Sequence, residues 1–84
     1  MIKTIEKYGA EWCGPCRVLD KILDQLTDVK VVKFDADENE EEFEQNEVFT
    51  LPFMIFKDEN DKAVVRVAGL LSLEHIHEII QEHS

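Results

Sequence analysis

Basic residues are scarce in this 84-residue chain: nine Lys and Arg stand against nineteen Asp and Glu, a formal net charge of -10 at neutral pH. An acidic surface repels phosphate backbones, which argues against nucleic-acid binding through the chain's own electrostatics. The same charge favours solubility and steers the protein toward basic partner surfaces. Long apolar runs are missing, so no segment is suited to crossing a bilayer. Met1-Ile2-Lys3-Thr4 opens straight into folded-looking sequence, without the apolar core of a signal peptide. Repeats, linkers and low-complexity tracts are absent as well. These absences lead to the expectation of a single domain over residues 1–84, cytoplasmic and monomeric, with no membrane and no nucleic-acid partner. A small domain buries a modest share of its surface, yet 44% hydrophobic residues suffice for a packed core.

Cysteine is limited to two residues, and both sit in Trp12-Cys13-Gly14-Pro15-Cys16. The segment reads as a strand-to-helix junction, with Pro15 suited to a first helical turn. One turn of helix carries the second sulfur back toward the first, making Cys13 and Cys16 a redox-active dithiol/disulfide pair. Helix N-termini present unpaired N–H groups and the positive end of the dipole, which favour a thiolate. Such placement lowers a cysteine pKa from ~8.5 to roughly 3.5–7.5, giving a nucleophile at neutral pH. Cys13, at or just before the helix start, is the expected attacking thiol, and Gly14 is expected to allow close backbone approach. A bond across so short a loop does little to brace a fold, so its value is chemical. The competing reading is a zinc site, which requires about four Cys or His ligands. Only His75, His77 and His83 remain as soft candidates, far downstream and two and six residues apart. No metal or other cofactor is therefore expected. His75 and His77 read as surface positions without chemistry.

Periodicity places the remaining elements. Residues 2–8 predict a strand with Ile2, Thr4 and Tyr8 on one side and Ile5 on the other. Val18, Leu19, Ile22, Leu23 and Leu26 form a helical stripe, with Asp20, Lys21 and Asp24 outside it. A β-branched strand follows at 29–35. Asn39 is placed to cap a short acidic helix over 40–46, anchored by Phe43, with Glu40-Glu41-Glu42 as a solvated face. Residues 53–56 and 63–67 predict two antiparallel strands joined by a turn at 58–61. Ser72 is placed to cap a last helix bearing Leu73, Ile76, Ile79 and Ile80. The order β-α-β-α-β-β-α predicts an α/β fold, a four-stranded mixed sheet with three helices covering both faces.

Several stretches carry a family resemblance. Residues 10–17 (Ala-Glu-Trp-Cys-Gly-Pro-Cys-Arg), Val32-Lys33-Phe34-Asp35-Ala36-Asp37-Glu38-Asn39, Thr50-Leu51-Pro52, and Val67-Ala68-Gly69 followed by Leu71-Ser72 together resemble the thioredoxin family. The match runs over residues 2–80. It implies a thioredoxin-like fold in minimal, glutaredoxin-sized form, without the strand and helix that usually precede this core. It also implies a protein-disulfide reductase acting on disulfide-bearing proteins. The electron donor would be a thioredoxin-reductase-like partner, flavin- or ferredoxin-linked, or glutathione. In that scheme Cys13 attacks, Cys16 resolves the mixed disulfide, and Pro15 biases the pair toward reducing power.

Trp12 would shield the site and contact substrate, the alternative being ordinary packing. By resemblance, Leu51-Pro52 forms a cis-proline loop facing the cysteines and offers a backbone edge to an extended substrate segment. Gly69 would let a neighbouring loop approach, or serve as a plain turn glycine. Lys33 matches a family lysine. One position departs: six residues before the first cysteine the family buries an acid, and here stands Lys7. Lys7 either favours thiolate as a positive neighbour or snorkels to solvent without effect. Two other functions stay open, a glutaredoxin-like reductase of glutathione mixed disulfides and a binding subunit with an unused dithiol.

Overall fold

A computed structural model describes all residues 1–84. Its elements follow the order β1 (Ile2–Gly9), α1 (Gly14–Leu23), β2 (Lys30–Asp35), α2 (Glu40–Gln45), β3 (Phe53–Asp58), β4 (Ala63–Ala68) and α3 (Leu73–Glu82). The strands form one sheet in the order β2-β1-β3-β4, with β1 parallel to β2 and both other pairings antiparallel. The parallel pair requires a crossover, and α1 supplies it. This is the thioredoxin-like arrangement of four strands and three helices.

The central strands are buried on both sides. Met54 and Phe56 of β3 join Ile2, Ile5, Leu19, Leu23 and Ile76 in the larger core, beneath α1 and α3. Ile55, between them in sequence, points to the opposite side and packs with Tyr8, Val48, Phe43 and Phe34. Tyr8 stacks on Phe34 at 5.0 Å between ring centroids and meets Phe43 edge-on at 5.1 Å.

Simple alternation misplaces the start of β1. Ile2 pairs with Asp58 and Thr4 with Lys57, so Lys3 is the extra residue of a bulge. The bulge turns Ile2 to the face of Ile5, while Tyr8 lies on the other face, rather than Ile2 and Tyr8 sharing one. Asn39 also departs from expectation. Its Oδ1 accepts from the Asp35 backbone N–H at 2.9 Å and makes no cap bond to α2. Ser72 does cap α3, accepting from His75 N–H at 3.1 Å.

Strand register brings three loops to one end of the sheet. Tyr8 is level with Phe53, and Phe53 with Ala68, so the segments after β1, before β3 and after β4 converge. The Gly69 N–H donates to the Pro52 carbonyl at 2.8 Å, fastening two of these loops together.

Candidate active site

The β1–α1 junction is tied off by a single turn, in which Cys13 N–H donates to the Ala10 carbonyl at 3.1 Å. Cys13 is the N-cap of α1, in extended conformation, and its Sγ accepts from Cys16 N–H at 3.3 Å. Pro15 occupies the first turn, where its missing N–H costs nothing. That turn carries no acidic side chain, so the positive helix end acts on Cys13 without local neutralisation. A disulfide joins Cys13 to Cys16 with the Cα atoms 5.3 Å apart. Cys13 is partly open to solvent, whereas Cys16 is fully buried. Only one sulfur of the pair is therefore reachable by a bulky partner.

Trp12 is 69% exposed, which sets aside the packing alternative; its indole N–H donates to Asp37 Oδ2 at 3.3 Å. Leu51–Pro52 is a cis peptide bond, with Pro52 buried and Leu51 half-buried. Gly69 has φ +96°, a conformation that disfavours any side chain, although a Cβ there would meet nothing within 4 Å. Gly14 is equally open, so no neighbour within the chain requires a glycine there. Phe49, 87% exposed and two residues before Leu51, adds an apolar surface that periodicity did not flag, because a lone aromatic in a loop carries no periodic signal.

Behind the disulfide one of the two readings of Lys7 falls away, and Asp20 departs from expectation. Lys7 does not reach solvent: it is 4% exposed, and its Nζ lies 2.7 Å from Asp20 Oδ1. Asp20, expected on the outside of α1, is half-buried instead and faces this lysine. Lys33 joins them, 3.8 Å from the same Asp20 oxygen and 3.0 Å from Asp24 Oδ1. The three groups border a groove of about 530 Å³ that also touches Gly9, Arg17 and Phe34. Gly9 is a second residue that motif reading passed over. A Cβ at that position would stand 2.6 Å from Lys7 Nζ and 3.0 Å from Cys16 Cβ.

A separate polar group lies on the opposite face of the sheet. The Tyr8 hydroxyl donates to Glu6 Oε1 at 2.9 Å, and Lys57 Nζ lies 2.9 Å from Glu6 Oε2. Burial, then the bond to Glu6, pushes the Tyr8 phenol well above its ordinary range. The Glu6 contact holds Lys57 above its usual value, against the opposing effect of burial. Neither group touches the cysteines. No cluster of three or more His, Cys, Asp or Glu is arranged to hold a metal, and no helix is long and apolar enough to cross a membrane.

Known proteins share this arrangement. The family model described as Thioredoxin matches residues 2–82. A thioredoxin of Chlamydia pneumoniae is 42% identical over 82 residues, covering 92% of this chain and 78% of the relative. A thioredoxin of Staphylococcus saprophyticus is 33% identical, covering 90% and 77%. Among solved structures, chloroplastic thioredoxin z superposes with a TM-score of 0.82 at 35% identity, over 94% of this chain and 75% of that one. Thioredoxins act on disulfide-bearing substrates and are reduced by thioredoxin reductase. With a paired Cys13 and Cys16 at a helix mouth in this fold, the chain belongs to the thioredoxin family and is a thiol–disulfide oxidoreductase.

Proposed function

We propose that the chain works as a protein-disulfide reductase, with Cys13 as nucleophile and Cys16 as resolving thiol. The observation that carries this assignment is the asymmetry of the pair: Cys13 is a partly exposed N-cap, and Cys16 is wholly buried. The Cys13 thiolate attacks a substrate disulfide, forming one S–S bond and releasing the first substrate sulfur as thiolate. Cys16 then loses its proton and attacks Cys13 Sγ, closing the intramolecular disulfide. The bond from Cys13 to substrate breaks, and two electrons have passed to the substrate. Gly14 and Pro15 shape the turn that presents Cys13.

Trp12, Leu51, Pro52 and Gly69 are assigned to substrate binding. An extended segment pairs with the Leu51 backbone by strand addition, and exposed Trp12 and Phe49 supply apolar contact. The regenerating donor is a thioredoxin-reductase-like protein or glutathione, and no cofactor is needed for dithiol exchange. The acidic balance and absence of apolar spans support a monomeric cytoplasmic protein that binds neither nucleic acid nor membranes.

Insulin reduction under excess dithiothreitol tests the assignment. The wild type is expected to accelerate precipitation of the insulin B chain, and Cys13→Ser to abolish it. Activity confined to a glutathione mixed disulfide would overturn the protein-substrate reading. Inertness toward both would leave a binding subunit.

A further inference from the structure

Cys16 is a buried nucleophile, and the molecule's only buried charged residue lies near it, on the other side of the space left open at Gly9. Lys7 is that residue. Three local features bring the two together. Lys7 shares the face of β1 that meets α1, along with Ile5 and Gly9. Gly9 is an ordinary extended strand residue, so no unusual φ demands a glycine. What its missing side chain provides is space, since a Cβ would collide with Lys7 Nζ and press on Cys16. Cys16 and Asp20 are four residues apart in α1 and so lie on the same helix face, directly above this lysine.

We propose that Lys7 is the electrostatic partner of Cys16, admitted by Gly9 and held by Asp20, and that it stabilises the thiolate through which the mixed disulfide is resolved. The proposal rests on the reductase reading above. A thiolate formed at a fully buried sulfur loses its hydration, and burial by itself disfavours the charged form. A cation at short range reverses that preference.

Asp20 anchors the ammonium. Its buried Oδ1 contacts Lys7 as an ion pair rather than an aligned hydrogen bond and lies 3.8 Å from Lys33, so one carboxylate oxygen faces two ammonium groups. The charged groups that line the groove together with Lys7 are Asp20 and Arg17 from α1, Lys33 and Asp35 from β2, and Glu11 and Glu38. In the resolving step Cys16 ionises and its proton is released to bulk water. The sulfur's electron pair then forms the bond to Cys13 Sγ, and the departing substrate thiolate takes up a proton outside. Lys7 takes no part in the proton transfer. Gly9 and Asp20 are positioning residues.

The test is the reaction of the reduced protein with 5,5′-dithiobis(2-nitrobenzoate), followed by stopped flow. Attack by Cys13 releases the first nitrothiobenzoate, and attack by Cys16 releases the second. In Lys7→Met the second release is expected to slow about tenfold at neutral pH, with its pH midpoint raised by about one unit and the first release changed far less. Gly9→Ala, which displaces the ammonium, is expected to slow the second release in the same direction. Asp20→Asn frees the cation from its counterion and is expected to lower the midpoint, a change of opposite sign that a purely structural role would not produce.

Circular dichroism establishes that each variant is folded. Should Lys7→Met fail to fold, the Asp20→Asn and Gly9→Ala midpoints decide the matter. A second-phase midpoint unmoved in the folded variants, or both phases slowed alike, would overturn the role of Lys7 alone. A wild type that releases no second equivalent would sink the reductase reading and this proposal with it.

Discussion

Tyr8 shows how a polar group survives in the core of so small a protein. Its ring fills the smaller core while its hydroxyl reaches Glu6, which Lys57 neutralises in turn. Tyr8→Phe removes the donor and leaves the Glu6–Lys57 pair intact, for an expected loss of about 1 kcal/mol in a denaturant titration. Both Tyr8 and Lys57 hold their protons more tightly in the folded chain than at their ordinary values of 10.0 and 10.5. Stability from these groups is therefore fully present below those values. It is lost as pH rises, because the unfolded chain gives up the protons first. Urea midpoints are expected to fall from about pH 10 upward, with a shallower fall in Tyr8→Phe. A flat profile there would show that neither proton is coupled to folding.

At the scale of elements, the cysteine pair sits at the mouth of α1, and sheet register gathers the loops that border it. Gly69 follows β4 and bonds to Pro52 ahead of β3. Gly69→Ala would meet no steric obstacle, since nothing lies within 4 Å of its Cβ position. Its cost is conformational alone, about 1–2 kcal/mol for forcing a side chain into φ +96°. Thermal unfolding checks the figure, and a Tm unchanged from wild type would mean that the loop relaxes freely. The hairpin turn shows the reverse economy. Asp58 accepts the N–H groups of Asn60 and Lys62 at 2.9 and 3.0 Å, and these bonds hold its carboxyl below the usual range. Asp and Asn residues there mark the turn in sequence for this reason.

For the molecule as a whole, charge is the dominant external property. A net charge of -10 on a domain of this size attracts basic substrates at long range and repels acidic ones. Reduction of a basic disulfide protein is expected to slow several-fold as ionic strength rises from about 0.01 to 0.15 M, and reduction of an acidic one to quicken. Second-order rate constants across that series are the measurement; salt-independent rates for both would show that the surface charge does not steer encounter.

The chemistry of the disulfide was legible from the chain alone because it is local. A Cys-x-x-Cys pair, a proline in the first turn and an N-cap depend on residues one to four positions apart, so they emerge wherever that helix forms. The order of elements was legible for the same reason, as periodicity and turn residues act over short windows. The side of Ile2, the partner of Asn39 and the pairing of Lys7 with Asp20 were not. The side of Ile2 depends on a bulge set against β3, and the partner of Asn39 belongs to the end of β2. Lys7 and Asp20 lie thirteen residues apart in sequence, on a strand and a helix; Asp20 looked like a solvent-facing charge, and Lys7 stood open between a neighbour of the thiolate and a side chain reaching solvent. Burial of a charge requires an oppositely charged partner at short range, and only the packing of α1 on β1 supplies one. Tertiary structure thus decided which of the chain's many charges stands behind the buried sulfur.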